Sequence, residues 1–218
     1  MNSDTTSEQS HSMATMATMA TTAGYGEAAA ALVEQYESVT FEEVHREVLQ
    51  LFPSRPASVL DIGAGSGRDA AALAARGHRV VAVEPTAELR ALGRRIHADQ
   101  DIEWVDDALP ELTVVRGQER RFDLILLTAV WMHLDAGQRS AAMAALAGLL
   151  ATDGQVILSL RHGPVPEGRR MFPVSAHETI DLSRACGLDV VHCSERDDPH
   201  GRRAVTWTYL ALRPTPQS

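Results

Sequence analysis

Three glycines, Gly63, Gly65 and Gly67, stand between two aspartates in Val59-Leu-Asp61-Ile-Gly63-Ala-Gly65-Ser-Gly67-Arg-Asp69. Glycine lets the backbone turn tightly and lets a ligand approach with no Cβ in the way. A dinucleotide fingerprint, Gly-x-Gly-x-x-Gly, places its third glycine three positions after the second. Here the step is two, which argues against a pyrophosphate site. Glu84 closes the next apolar run, Val80-Val-Ala-Val-Glu84-Pro85, 21 residues after Gly63. A carboxylate there can accept hydrogen bonds from both hydroxyls of a ribose.

These residues need a strand before the loop and a helix after it. Residues 58–62 are a short apolar strand, and residues 66–76 read as a helix ended by Gly77. Ser66 is expected to cap that helix, with Asp69 completing a capping box. The alternation continues with strands at 79–84, 102–106, 122–127 and 155–160 and helices at 86–97, 138–150 and 175–186. Strand then helix, repeated, predicts an α/β fold with a Rossmann-like, doubly wound sheet. Two last strands, 189–194 and 204–212, are joined only by a short polar segment holding Pro199 and Gly201. A parallel crossover needs a dozen or more residues, so the last of seven strands should run antiparallel. Before the sheet, a helix over 27–36 is followed by a second from Thr40. Thr40-Phe-Glu-Glu43 is a capping box, Phe41, Val44, Val48 and Leu51 share an apolar face, and Pro53 and Pro56 end the helix.

With 218 residues, 44% hydrophobic and 22% charged, the chain is sized for one domain. Residues 1–22, polar and repetitive around Met13, Met16 and Met19, read as a disordered tail, leaving 23–218 for the domain. No run is apolar enough for a membrane span, nor is there a secretory signal, so a cytoplasmic protein is expected. A net charge of −9 disfavours nucleic acid. The arginine pairs at 94–95, 120–121, 169–170 and 202–203 read as solvated surface. Cys186 and Cys193 have no metal-ligand spacing and are expected as small buried thiols; no metal is expected.

Taken in order, residues 59–69, Glu84, Asp107-Ala-Leu-Pro, Phe122-Asp-Leu-Ile-Leu-Leu, Val130-Trp-Met-His-Leu134 and the segment from Leu149 to Leu158 resemble the successive motifs of class I S-adenosylmethionine-dependent methyltransferases. The resemblance spans roughly residues 25–212. It implies that Gly63, Ala64 and Gly65 pack beneath the methionine part of the cofactor and that Asp61 fixes the loop. Glu84 would hold the ribose, Asp107 with Ala108 the adenine, and Thr128 and Ala129 the wall beside the sulfonium. The family often has glycine where this chain has Asp106, so either Asp106 or Asp107 faces adenine. S-adenosylhomocysteine would be the product.

The sulfonium is already activated, so in-line attack needs mainly proximity, alignment and exclusion of water. A base is required only when the nucleophile must lose a proton. His133, after the fourth strand, is the candidate base or else a structural residue at a helix start. Arg161 and His162 begin a long loop on the ligand edge of the sheet and are candidate acceptor contacts. Residues 23–56 correspond to a helical lid in many relatives, where Tyr25 would close over the site and Tyr36 would close with it or pack in the core. Acidic charge and the absence of an added recognition domain favour a small-molecule acceptor. The alternatives are an RNA or protein methyltransferase, a binding subunit without catalysis, or an aminopropyl transferase. Oligomeric state is open.

Overall fold

The computed structural model describes residues 28–216; the expected tail over 1–22 and Tyr25 lie outside them. Its strands are β1 (Ser58–Ile62), β2 (Arg79–Val83), β3 (Ile102–Val105), β4 (Phe122–Leu127), β5 (Leu150–His162), β6 (Leu188–Asp197) and β7 (Thr206–Pro214). The helices are α1 (Ala29–Glu37), α2 (Phe41–Val44), α3 (Arg68–Ala75), α4 (Ala87–Ile96), α5 (Thr113–Gly117), α6 (Ala136–Leu149) and α7 (Ala176–Ala185). Single 3-10 turns occupy Leu49–Leu51 and Trp131–His133.

The strands form one sheet of order β3-β2-β1-β4-β5-β7-β6. β1 to β5 pair in parallel, and β7 runs antiparallel to both β5 and β6. The eight residues between β6 and β7 allow only that reversal. Because side chains alternate across a strand, each strand feeds two cores. Leu60, Ile62, Val81, Ile125 and Leu127 meet Ala142, Leu146 and Leu149 of α6 on one face. Val59, Val80, Ala82, Leu124 and Leu126 meet Ala70 and Leu73 of α3 on the other, with Phe41 and Val48 from the N-terminal segment. Continuous apolar strands are what a doubly covered sheet demands.

Several elements depart from what the sequence pattern predicts. The Thr40–Glu43 capping box is present in both directions, but the helix it starts ends at Val44. His45 turns inward to a buried partner, Val48 N–H donates to the His45 carbonyl, and the chain tightens into turns. Phe41, Val44 and Val48 are nonetheless buried as expected. Ser66 does not cap α3: Gly67, at φ +87°, is the cap residue, and no side chain caps the helix. β5 starts at Leu150 rather than 155, because Leu150 pairs with Phe122 across a register shift. The short α5 has no counterpart in the apolar periodicity. Cys193 is exposed on the sheet-edge strand rather than buried, and Cys186 is partly buried; both are free thiols.

The N-terminal segment is fastened to the sheet by Tyr209 of β7, whose buried hydroxyl donates to the Val44 carbonyl at 2.7 Å. Burial holds that phenol's pKa up at about 12, so it stays a donor. Tyr209→Phe should lower unfolding free energy by about 1 kcal/mol, since Arg196 also donates to the same carbonyl. Urea denaturation checks this; unchanged stability would show that the bond contributes nothing.

Candidate active site

Strand ends at the carboxyl edge of a parallel sheet leave a crevice. Here it is a cavity of about 470 Å³, walled by the loops after β1, β2, β3, β4 and β5, by α1, and by the β6–β7 turn. Its floor is the glycine loop. The N–H groups of Gly63 and Ala64 both donate to the Val83 carbonyl at 2.8 and 2.9 Å, and Gly65 N–H donates to Glu84 Oε2 at 2.9 Å. Gly63 and Gly65 have φ of +70° and +58°. A Cβ on Gly63 would lie 2.5 Å from a Val130 methyl, and one on Gly65 3.2 Å from the Tyr36 ring. Both side chains line the cavity. Tyr36 therefore serves the site wall rather than the core.

Glu84 is buried, and its Oε1 accepts from Thr86 N–H at 2.8 Å. Burial raises its pKa, partly offset by the amides of Thr86 and Gly65. Each carboxylate oxygen has lone-pair capacity for about two hydrogen bonds, so capacity remains for a ligand. Asp107 lines the cavity too; its oxygens accept from the N–H groups of Ala108 and Val115 at 2.9 Å each. Asp106 turns to an ion pair with Arg90 at 2.7 Å and is exposed, so of the two Asp107 is the cavity residue.

Asp69, expected only as part of a cap, is the centre of a buried network. Its Oδ2 accepts from His45 Nε2 at 2.9 Å and Thr128 Oγ1 at 2.7 Å, and its Oδ1 from Arg68 Nε at 2.8 Å. Burial alone would raise its pKa, but Arg68 and His45 outweigh that and hold the carboxyl far below the usual range. Nearby Asp61 is the opposite case. Burial, then the Asp69 charge, pushes its pKa well up, and its Oδ2 has no hydrogen-bond partner. The spacing of Asp69 from His45 and Thr128 in sequence gives no sign of this cluster. Ala129, at φ +60°, follows Thr128 and donates its N–H to Ser159 Oγ at 2.9 Å, fixing the end of β4 to β5. Ala64, Ala108, Thr128 and Ala129 all line the cavity.

At the far end lie His133 and Arg161. His133 Nδ1–H donates to the Arg170 carbonyl at 2.9 Å, so the neutral ring carries its lone pair on Nε2. Arg161 donates from Nη1 to the Pro164 carbonyl at 2.9 Å. His162 is not brought to the site: strand alternation sends it across to Thr208 Oγ1 at 2.8 Å. The β6–β7 turn supplies residues that sequence reasoning misses. Asp198, its side chain fully buried, accepts from Arg202 Nε and Nη2 at 2.9 and 2.7 Å and from Trp207 Nε1 at 2.8 Å. That holds His200, Arg202 and Trp207 in the cavity wall. Arg169 and Arg202 thus belong to the cavity, not to a solvated surface. An antiparallel last strand implies a turn on the ligand edge, and that is the one signal in the sequence that points to them.

A model of a methyltransferase-domain family matches residues 36–214. The chain therefore belongs to that family, the class I S-adenosylmethionine-dependent methyltransferases. Among curated proteins no relative matches. Solved structures share the fold. A TehB-like S-adenosylmethionine-dependent methyltransferase from Corynebacterium glutamicum is 20% identical over 85% of this chain and 99% of its own, at a TM-score of 0.62. The Burkholderia thailandensis 1,6-didemethyltoxoflavin N1-methyltransferase, solved with its acceptor and S-adenosylhomocysteine, is 24% identical, covering 89% and 92%, at 0.60. The Synechocystis magnesium protoporphyrin IX methyltransferase, solved with S-adenosylmethionine, is 16% identical, covering 84% and 81%, at 0.63.

Burial lowers the His133 pKa. The Arg170 carbonyl opposes this, and Arg169 and Arg161 add to the lowering. The ring should therefore titrate below the ordinary value near 6.5, which leaves it neutral and basic at pH 7. A ¹H–¹³C NMR titration, assigned with His133→Gln, should show a midpoint under 6.5. A midpoint at or above it would contradict the cavity's electrostatics.

Proposed function

We propose that this enzyme transfers the methyl group of S-adenosylmethionine to a small-molecule acceptor. The carrying observation is one cavity that runs from Glu84 and Asp107 over the glycine floor to His133 and Arg161. The residues fit the cofactor. Gly63 and Gly65 line the cavity with no Cβ to narrow it, and the unpartnered Asp61 Oδ2 suits an ammonium. Such a cation would also offset the repulsion between Asp61 and Asp69.

Glu84 would hold the ribose, Asp107 and Ala108 the adenine, and Gly63, Ala64 and Gly65 the methionine part, with Asp61 at its ammonium. When bound, S-adenosylmethionine supplies an electrophilic methyl on an already activated sulfonium. Thr128 gives its hydroxyl hydrogen to Asp69, so only lone pairs are left to face the cavity, an arrangement that favours a cation. Arg161 would orient the acceptor. His133 Nε2 would take the proton of a nucleophile that must lose one; an amine already neutral would need alignment only. The described part of residues 23–56 acts as the lid in this reading, since Leu32, Gln35 and Tyr36 wall the cavity.

A small acceptor is favoured by the −9 charge, which repels nucleic acid. It is also favoured by structural neighbours named for a toxoflavin precursor and a porphyrin. No helix among the described residues is long and apolar enough to cross a membrane, which agrees with a cytoplasmic reaction.

Calorimetry tests the reading. S-adenosylmethionine and S-adenosylhomocysteine should each bind, and NAD should not. Glu84→Ala should weaken the product complex by about 1.5–3 kcal/mol through loss of two charge-assisted hydrogen bonds. Binding of NAD alone, or full affinity in Glu84→Ala, would overturn it. With an acceptor in hand, His133→Ala should cut turnover about 10²-fold for a nucleophile that must be deprotonated.

A further inference from the structure

The end of the cavity beyond the glycine floor holds a charge imbalance. Arg161, Arg169 and Arg202 line the cavity, and of its lining carboxylates Asp69 is already paired with Arg68. Arg202 is neutralised from behind by bidentate contact with Asp198. Arg161 has no such partner: among the described residues no carboxylate pairs with it, and its Nη1 donates to the Gly163 and Pro164 carbonyls. It is half-buried. Burial and the nearby Arg202 charge lower its pKa, with Asp198 opposing only in part, the mark of a cation that is not fully compensated. The apolar part of the surrounding wall is formed by Met132, Met171, Trp207 and Tyr209, with Trp207 opposite Arg161 across β5 and β7.

We propose that the acceptor is a small aromatic carboxylate, its anionic group on Arg161 and its ring against Trp207 and the two methionines. This rests on the methyltransferase reading and adds the substrate class to it. A guanidinium keeps a hydrogen-bonding fork that matches a carboxylate. A neutral acceptor would remove water from Arg161 and return no charge, which is how a polar site rejects an analogue that lacks the matching group. Apolar side chains, including soft methionine, accept a ring without demanding polar groups from it. Arg202, held by Asp198, forms a fixed polar wall beside the carboxylate.

The test compares acids with their own amides. Calorimetry is run on the protein saturated with S-adenosylhomocysteine, using benzoate, 4-hydroxybenzoate and quinoline-2-carboxylate, each against its primary amide. At least one acid should bind tenfold or more tightly than its amide. Arg161→Gln should abolish that preference, and Arg161→Lys should keep part of it. No preference for any acid, or a preference that survives in Arg161→Gln, overturns the proposal. S-adenosylhomocysteine is titrated first in the same samples. If it fails to bind, the cofactor reading fails. The acids and amides are then compared on the protein alone, where an Arg161-dependent preference supports the anion site and its absence overturns it.

Discussion

Asp69 accepts hydrogen bonds from His45 of the N-terminal segment, from Arg68 beside it on α3, and from Thr128 at the end of β4. Those groups come from three separate parts of the chain. Breaking a buried pair by removing one partner leaves the other charge uncompensated and costs about 3–5 kcal/mol. The position of the N-terminal segment over the cavity, the pitch of α3 and the orientation of the Thr128 hydroxyl are thus linked to one ionised group. Because its pKa is depressed, its stabilisation is present above the unfolded value near 3.9 and is lost as pH falls through the lower folded value.

Asp198 repeats the device in the β6–β7 turn. Its fully buried side chain gathers Arg202 and Trp207, and its Oδ2 also accepts the His200 N–H at 3.1 Å. A tight polar turn becomes a rigid wall. In the proposed reading, the β2 and β3 side of the cavity takes a nucleoside and the β5 side takes an anion. The sulfonium chemistry needs little more from the protein than alignment.

Much of the frame is legible in the sequence because it depends on local pattern. Five-residue apolar runs make the strands, and the short polar link before Thr206 dictates the antiparallel β7. Glu84 is legible because a strand end sets where its side chain sits, and the glycine loop is legible for the same reason. What is not legible rests on partners distant in the chain. Asp69 reads as a helix cap because its neighbours in sequence permit one; its actual partner His45 lies 24 residues away and Thr128 lies 59 away. Ser66 loses the capping role because the helix starts one residue later, after Gly67 in a left-handed conformation. His162 reads as a companion of Arg161 only if both lie in a loop; β5 extends through them, and neighbours on a strand face opposite sides. The Asp198 turn reads as a plain polar connection, since nothing in composition reveals which carboxylate will be buried.

In the proposed reading, Asp69 acts through Thr128 to shape the cavity for a positively charged ligand centre, and on that point the rest of the cofactor reading turns. S-adenosylmethionine and S-adenosylhomocysteine differ there by a methyl group and one charge, so the ratio of their dissociation constants reports it. Thr128→Val removes the oriented oxygen and leaves the Asp69 pairs with Arg68 and His45 in place. Calorimetry on this variant should show S-adenosylmethionine weakened about tenfold more than S-adenosylhomocysteine, about 1.4 kcal/mol of lost charge–dipole attraction. Equal effects on the two ligands, or none, would contradict the claim.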